Sequence, residues 1–403
     1  MTSTRTIQGN QSIDGPEREG ESLLLGPDSD IAPTVSVVMP TMNEEDGIAE
    51  CIQRVRNAVR ESGYHTEVII SDDSTDRTPE IARDLGAIVV EPDDQGYGYA
   101  YRYAFERCRG DYIIIGDADT TYDFEQFPKL LDPVVRGDAD MVMGSRLDGE
   151  IKEGAMPALH QYVGNPLLTR FLNLFYDAGV SDAHSGFRAF RADMLPELDL
   201  STTGMEFASE MIMEAGARDL TIEEIPITYH EREGDATLDS FRDGWRHVRF
   251  MLLNAPGYLF SVPGAVMGAL GVMVMMLAFL DISISGVSFG IHSAIAGSLF
   301  VLVGYQVGSL SVFATVASDP IQRPNDPITD ALIEQLNLEH IATIGLVIYT
   351  AGLLYAGWLV VQWAQTGFTR LPMVVGDVLA FTAIVLGIQT IFNAFFLSAV
   401  AGE

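Results

Sequence analysis

The chain has 403 residues, with 24 Lys and Arg against 56 Asp and Glu and a formal net charge of -32. That length holds two or three domains, and that acidity argues against a nucleic-acid partner, which needs a basic face. Lys129 and Lys152 are the only lysines, and so acidic a composition suits high salt, where charge repulsion is strongly screened.

Residues 1–33 are rich in Ser, Thr, Gly, Asp and Glu and lack the positive start and apolar core of a signal peptide. A disordered acidic tail is expected there, followed by a domain that stays in the cytoplasm. Val35–Met39 reads as a first strand closed by Pro40, with Asn43 or Asp46 as the cap of a helix carrying Ile48, Ile52, Val55 and Val59. Glu67–Ser71 is a second strand running into Asp72-Asp-Ser-Thr-Asp76, and a helix begins near Pro79. Ala87–Val90 is a third strand, and the Gly96-Tyr-Gly98 turn leads into a helix through Phe105. Tyr112–Ile115 is a fourth strand that ends in Asp117 and Asp119. A helix follows from about Phe124, then a strand Asp140–Met143 ending at Gly144-Ser-Arg146. Strands alternating with helices predict a mostly parallel, Rossmann-like α/β sheet. Ligands of such sheets bind beyond the carboxyl ends of the strands, where Glu44, Asp72, Asp117, Asp119 and Arg146 gather. Taken alone, the Asp117/Asp119 pair is either a solvated acidic turn or the seat of a hard divalent cation that holds a phosphate. No glycine-rich phosphate loop is present. Cys51 and Cys108 form no CxxC and are expected to pack in the core.

Six blocks in order resemble the family 2 glycosyltransferases of GT-A fold. They are Pro40-Thr-Met-Asn-Glu44, Ile70-Ser-Asp-Asp-Ser-Thr-Asp76, Gly96-Tyr-Gly-Tyr-Ala100, Arg109-Gly-Asp-Tyr-Ile-Ile-Ile-Gly-Asp-Ala-Asp119, Gly144-Ser-Arg146 and Asp182-Ala-His-Ser-Gly-Phe-Arg188. The last is similar to the acceptor block of polyprenyl-phosphate (dolichyl-phosphate) hexose synthases, and the likeness runs from about Thr34 to Leu253. It implies inverting, metal-dependent transfer of a hexose from a nucleotide sugar to dolichyl phosphate. UDP-glucose is favoured, by likeness to archaeal enzymes, over GDP-mannose. Pro40, Met42, Glu44, Ile70, Asp72, Asp117 and Ala118 would line the nucleotide-sugar site with Asp119 and Arg146. Asp117, Asp119 and Thr121 would face Mg2+ or Mn2+. Arg146, Ser185, Arg188 and Arg232 would meet the phosphates, with Asp182 orienting an arginine or the sugar and His184 packed or hydrogen-bonded. Three positions depart from the family pattern: Met42, Ser71 and Ala236-Thr237. Two further readings compete. A processive polysaccharide synthase would carry a Gln-x-x-Arg-Trp motif, which is absent; a transport or scaffold protein would carry a degenerate transferase domain. The resemblance leaves a homo-oligomer open.

The domain boundaries expected are 34–235 for the catalytic unit, 236–260 for a juxtamembrane helix and 261–403 for a membrane domain. In the helix around Leu167–Tyr176, the stripe Leu168, Phe171, Leu172 and Phe175 fits either a core face or one wall of a cleft at the membrane. A second amphipathic helix, Leu238 to about Leu253, sets Trp245 beside Arg242, Arg246 and Arg249, as suits a membrane surface. Four uncharged apolar runs follow, at about 261–280, 291–317, 341–363 and 378–400, each long enough to span a bilayer. The arginines before the first run place the catalytic domain, the 318–340 loop and the C-terminus in the cytoplasm. His292, Gln306, Gln389 and Asn393 are expected to bond between spans.

Overall fold

The computed structural model describes residues 23–401, apart from 177, 234–239, 256, 285, 318–337 and 370–373. Ala236-Thr237 and most of the 318–340 loop, with its prolines, lie outside the described residues.

The apolar runs become strands because the sheet is covered on both faces, which suits continuous Val and Ile. The strands are β1 (Leu24–Leu25), β2 (Val35–Thr41), β3 (Thr66–Asp72), β4 (Ile88–Val90), β5 (Tyr112–Ile115), β6 (Met141–Ile151), β7 (Arg188–Arg191) and β8 (Ile222–Tyr229). Their order is β1-β3-β2-β5-β7-β6-β8, with β4 also on β3. All pairs in this sheet are parallel except those of β7, which runs antiparallel between β5 and β6; a separate antiparallel pair joins Ser283–Ile284 to Val287–Ser288. The acceptor block thus supplies a strand to the middle of the sheet.

Alternate side chains fill two cores, as the strand period of two requires. Val35, Val37, Met39, Ile70 and Ile114 pack against helices α1 (Ile48–Ser62) and α4 (Phe127–Arg136). Val38, Ile69, Ile113, Ile115 and Met143 pack against α3 (Tyr97–Phe105), α5 (Asn165–Tyr176) and α6 (Phe207–Ala217). The short α2 (Thr78–Asp84) starts beside Pro79, as expected. Cys51 is buried, and burial pushes both thiols up to about 12, so the two cysteines serve packing.

Several boundaries differ from the sequence reading. Leu24–Leu25, assigned to an unstructured tail, pair in parallel with Thr66–Glu67. The cap of α1 is Gly47, with no side-chain cap, not Asn43 or Asp46. A Cβ at Gly47 would stand 3.1 Å from the Ala118 carbonyl, so the helix start is pressed against the Asp117–Asp119 loop. β6 runs past Arg146 to Ile151, with a register shift against β8 between Ser145 and Glu150.

Helix α7 (Ser240–Leu253) is docked rather than loose: its Met251, with Ala255 just beyond it, belongs to the second core, and the Tyr176 hydroxyl donates to the Asn254 carbonyl at 2.9 Å. On its other side Trp245 (59% exposed), Arg246 and Arg249 face outward. The exposed side of the α5 region carries Leu159, Tyr162, Val163, Leu167 and Leu174, while Leu172 and Phe175 are core. Four helices then follow, α8 (Val262–Phe279), α9 (Ile291–Ala317), α10 (Leu338–Gln365) and α11 (Val374–Ala401), each long and apolar enough to cross a membrane. Glycines let them approach closely: a Cβ on Gly264 would lie 2.7 Å from the Gly308 nitrogen, and one on Gly387 2.5 Å from the Tyr349 nitrogen. Ser298 shares a 2.7 Å hydrogen bond with Thr382, and Asn393 donates to the Tyr305 hydroxyl at 3.4 Å, joining α9 to α11.

Candidate active site

The parallel strands β2, β3, β5 and β6 release their carboxyl ends along one edge. At the end of β3 the Asp72 carboxylate accepts from the Thr41 hydroxyl at 2.7 Å and from the Ser74 hydroxyl at 2.6 Å. Asn43 takes φ 61, and its side-chain oxygen accepts from the Thr75 amide at 2.9 Å. Glu44 donates its amide to Thr78 Oγ1 at 2.9 Å. The turns after β2 and β3 are therefore laced together, and Asp72 and Glu44 sit on a shared rim. The other residues expected at the nucleoside divide. Pro40 lies half-buried at the strand end and Met42 is 51% exposed, whereas Ile70 and Ala118 are buried in the first core.

Beyond β5, Asp117 is half-buried and accepts a 2.8 Å hydrogen bond from the Tyr97 hydroxyl. Burial, then the like charge of Asp119, raises its carboxyl to about 7. Asp119 Oδ1 accepts from Thr121 Oγ1 at 2.5 Å, and Oδ2 accepts from Arg232 Nη1 at 3.0 Å. Arg232 also donates to Glu44, whose carboxyl burial still lifts to about 7 against the pull of that arginine. Arg232, expected on the lipid phosphate, here bridges Asp119 and Glu44, two carboxylates expected at the nucleotide sugar. Thr121, expected as a metal ligand, spends its hydroxyl proton on Asp119 and so orients that carboxylate. The loop is pinned from the stretch just after β8, the backbone amide of His230 donating to the Thr121 carbonyl at 2.9 Å and that of Glu233 to the Asp119 carbonyl at 3.2 Å. Thr120 is held at φ 66, a strained state for a β-branched residue. Two carboxylates one residue apart, one held against its preferred charge, are hard oxygen donors of the kind Mg2+ and Mn2+ take. Among the described residues no group of three His, Cys, Asp or Glu that could hold a metal ion is found.

On the other side, Arg146 grips Asp182 with two bonds, Nε to Oδ2 at 2.7 Å and Nη2 to Oδ1 at 2.8 Å. Its backbone amide adds a third at 3.0 Å, made available by the local irregularity of β6. Burial would raise the Asp182 carboxyl, but the Arg146 charge and hydrogen bonds hold it below the usual range. Asp182 is itself aimed by Glu224, which accepts from the Ser181 and Asp182 amides. Arg188 is fully buried and donates to the carbonyls of Ser185, Ala183 and Ala208. It therefore organises the Asp182–Arg188 loop against α6 and does not project onto a phosphate as expected; its Nη1 and the Ser185 hydroxyl remain buried without partners. Gly186 approaches Asp117: a Cβ there would be 3.4 Å from Asp117 Oδ2 and 3.3 Å from the Tyr97 hydroxyl. The Tyr122 hydroxyl accepts from the Gly186 amide at 2.7 Å, tying the two loops. Tyr97 lay inside the Gly96–Ala100 block and so had a sequence signal. Tyr122 and Glu224 had none, because their roles arise only from the pairing of distant segments.

Residues 36–199 match the family described as Glycosyl transferase family 2, and residues 312–401 match the Glycosyltransferase family 2 C-terminal transmembrane region. A protein of Haloferax volcanii named low-salt glycan biosynthesis hexosyltransferase Agl6 is 58% identical over 96% of this chain and 94% of its own length. The chain belongs to glycosyl transferase family 2. A dolichyl-phosphate hexose transferase of the same organism is 37% identical over 52% of this chain and 89% of its own length. A dolichol-phosphate mannosyltransferase of Pyrococcus furiosus is 26% identical over 60% of this chain and 70% of that one. The α/β unit is thus a GT-A domain, and this family 2 transferase is a multi-pass membrane protein with its catalytic domain ahead of four spans.

Proposed function

We propose that this transferase moves a hexose, with inversion, from a nucleotide sugar to dolichyl phosphate, with UDP-glucose the favoured donor and GDP-mannose the second. The observation that carries the reading is the placement of Asp117 and Asp119 at the same sheet edge as the Arg146–Asp182 pair, in a domain whose core includes the helix leading into the first membrane span. Kinship with two dolichyl-phosphate transferases supports the acceptor.

Asp72, fixed by Thr41 and Ser74, stands ready to accept an imide N–H of a base, and Glu44 shares its rim. Asp117 and Asp119 would hold Mg2+ or Mn2+, which when bound offsets negative charge on the leaving diphosphate. The nucleophile is a phosphate monoester, already anionic near neutral pH, so no strong base is required. The obstacle is repulsion: two unit charges at about 4 Å repel by about 4 kcal/mol at an effective dielectric of 20. Arg146 meets it with the guanidinium edge that Asp182 leaves open, held in one orientation by the two-point grip. Arg232, only 26% exposed at its side chain, lies opposite and is shared between Glu44 and Asp119. The arginines before the first span favour a cytoplasmic active site.

The full chain, incubated with labelled UDP-glucose or GDP-mannose, dolichyl phosphate and Mg2+ or Mn2+, should yield a labelled lipid with an inverted anomeric centre. Absence of transfer from every nucleotide sugar tried would sink the reading.

A further inference from the structure

The buried face of α7 carries His247 and Met251, four residues apart on one helical stripe, with Ala255 packed in the same core just beyond the helix end. Met251 and Ala255 are ordinary core, but His247 is an imidazole only 9% exposed. Its Nδ1 lies 3.0 Å from the hydroxyl of Ser209, a fully buried residue of α6. The same hydroxyl lies 3.3 Å from Nε2 of His184. The two imidazoles meet edge to face with centroids 4.8 Å apart. Burial, then the neighbouring His247, keeps the His184 ring well below its usual range, so it stays neutral. A serine hydroxyl can donate to one ring while accepting from the other, which partners Nδ1 of His247 and Nε2 of His184 and leaves His184 Nδ1 buried without a partner.

Three polar side chains inside an apolar interface cost stability unless they are hydrogen-bonded to one another. What they specify is the rotation and height of α7, since one residue of slip turns His247 through about 100° and breaks the link. The link ends on His184, two residues from Asp182 and one from Ser185, whose carbonyl takes Arg188 Nε. The outer side of the same helix turn carries Trp245, Arg246 and Arg249.

We propose that His247 is a positioning residue for the lipid acceptor: through Ser209 and His184 it fixes the Asp182–Arg188 loop, and hence Arg146, relative to the helix that lies on the membrane. The proposal rests on the lipid-phosphate reading above. Losing one such bond corresponds to about a tenfold change in an equilibrium constant. His247→Ala in the full chain, reconstituted in vesicles containing dolichyl phosphate, should therefore raise the KM for that lipid about tenfold. The KM for the nucleotide sugar and the slow hydrolysis of donor to water should stay at the wild-type level. Ser209→Ala should act in the same way, and the double variant should be no worse than either single one, because both cut one path. His247→Asn, which can place a polar atom near the position of Nδ1, should recover part of the loss. If His247→Ala misfolds, Ser209→Ala and His247→Asn carry the same comparison. An unchanged lipid KM, or equal rises in both KM values, overturns the proposal while leaving the proposed function intact. A wild-type chain that glycosylates no lipid phosphate overturns both.

Discussion

Asp117→Asn is expected to stabilise the resting protein and to abolish transfer. The carboxyl is raised from 3.8 to about 7 by burial and by Asp119. Between those values the folded chain keeps a proton that the unfolded chain has lost, so stability falls as pH rises from about 4 to about 7 and levels off above. Three pH units at about 1.4 kcal/mol each set an upper bound of about 4 kcal/mol for this charge at pH 8. Asparagine keeps an oxygen for the Tyr97 hydroxyl and nearly the same volume, so about half that bound, about 2 kcal/mol, is a fair expectation. At 2–4 °C per kcal/mol for a domain of this size, the thermal midpoint at pH 8 should rise by about 4–8 °C. The measurement is a melt of the full chain in detergent at molar KCl and a fixed scan rate, at pH 5 and pH 8; salt screens fully exposed charges more than this half-buried one. Wild type should melt lower at pH 8 than at pH 5, and the variant should show a smaller difference, the remainder coming from Glu44, also raised to about 7. A variant that matches or falls below wild type at pH 8, while equal to it at pH 5, would refute the electrostatic account.

Asp182→Asn leaves buried Arg146 with one acceptor in place of two and should cost about 3 kcal/mol by chemical denaturation, with transfer reduced more than tenfold. Gly186→Ala presses a methyl group toward Tyr97, Tyr122 and Asp117, and should lower the transfer rate with a stability loss of about 1–2 kcal/mol. Thr121→Val removes the hydroxyl that orients Asp119, a bond to a charged group worth about 1.5–3 kcal/mol. It should raise the concentration of divalent cation needed for half-maximal transfer while leaving the maximal rate within a few-fold. Complete loss at saturating cation would instead make Thr121 a direct ligand.

Strand positions were legible because each rests on a local apolar run: β2, β3 and β5 fall within two residues of the reading at each end. Acids and arginines were visible as types, and the sheet edge gathers most of them. What each one touches was not. Arg146, Arg188 and Arg232 read alike in sequence, as cations near expected phosphates, yet one is gripped by Asp182, one is buried under backbone carbonyls and one joins Glu44 to Asp119. The difference comes from pairings across 36, 20 and 113 residues, which no local pattern encodes. Ile70 shows the same limit on a smaller scale: its block placed it at a pocket, while strand alternation sends it into the core.

The division of labour among those arginines follows from the charge of the chain. In a protein of net charge -32, a cation left free at the site would find a carboxylate, and each arginine there has been given its partner in advance. For Arg146 and Arg188 the partner is internal and fixed, so they shape the loop before any substrate arrives. Arg232 is different, because it is shared between two carboxylates, Asp119 and Glu44, and is a quarter exposed. It stands eight residues ahead of Ser240, where α7 begins. In sequence, Arg232 is therefore a short step from α7, and the backbone amide of its neighbour Glu233 donates to the Asp119 carbonyl. Asp119, Glu44 and α7 thus adjoin one stretch of sequence, and under the function proposed above that stretch would connect the donor and acceptor halves of the site.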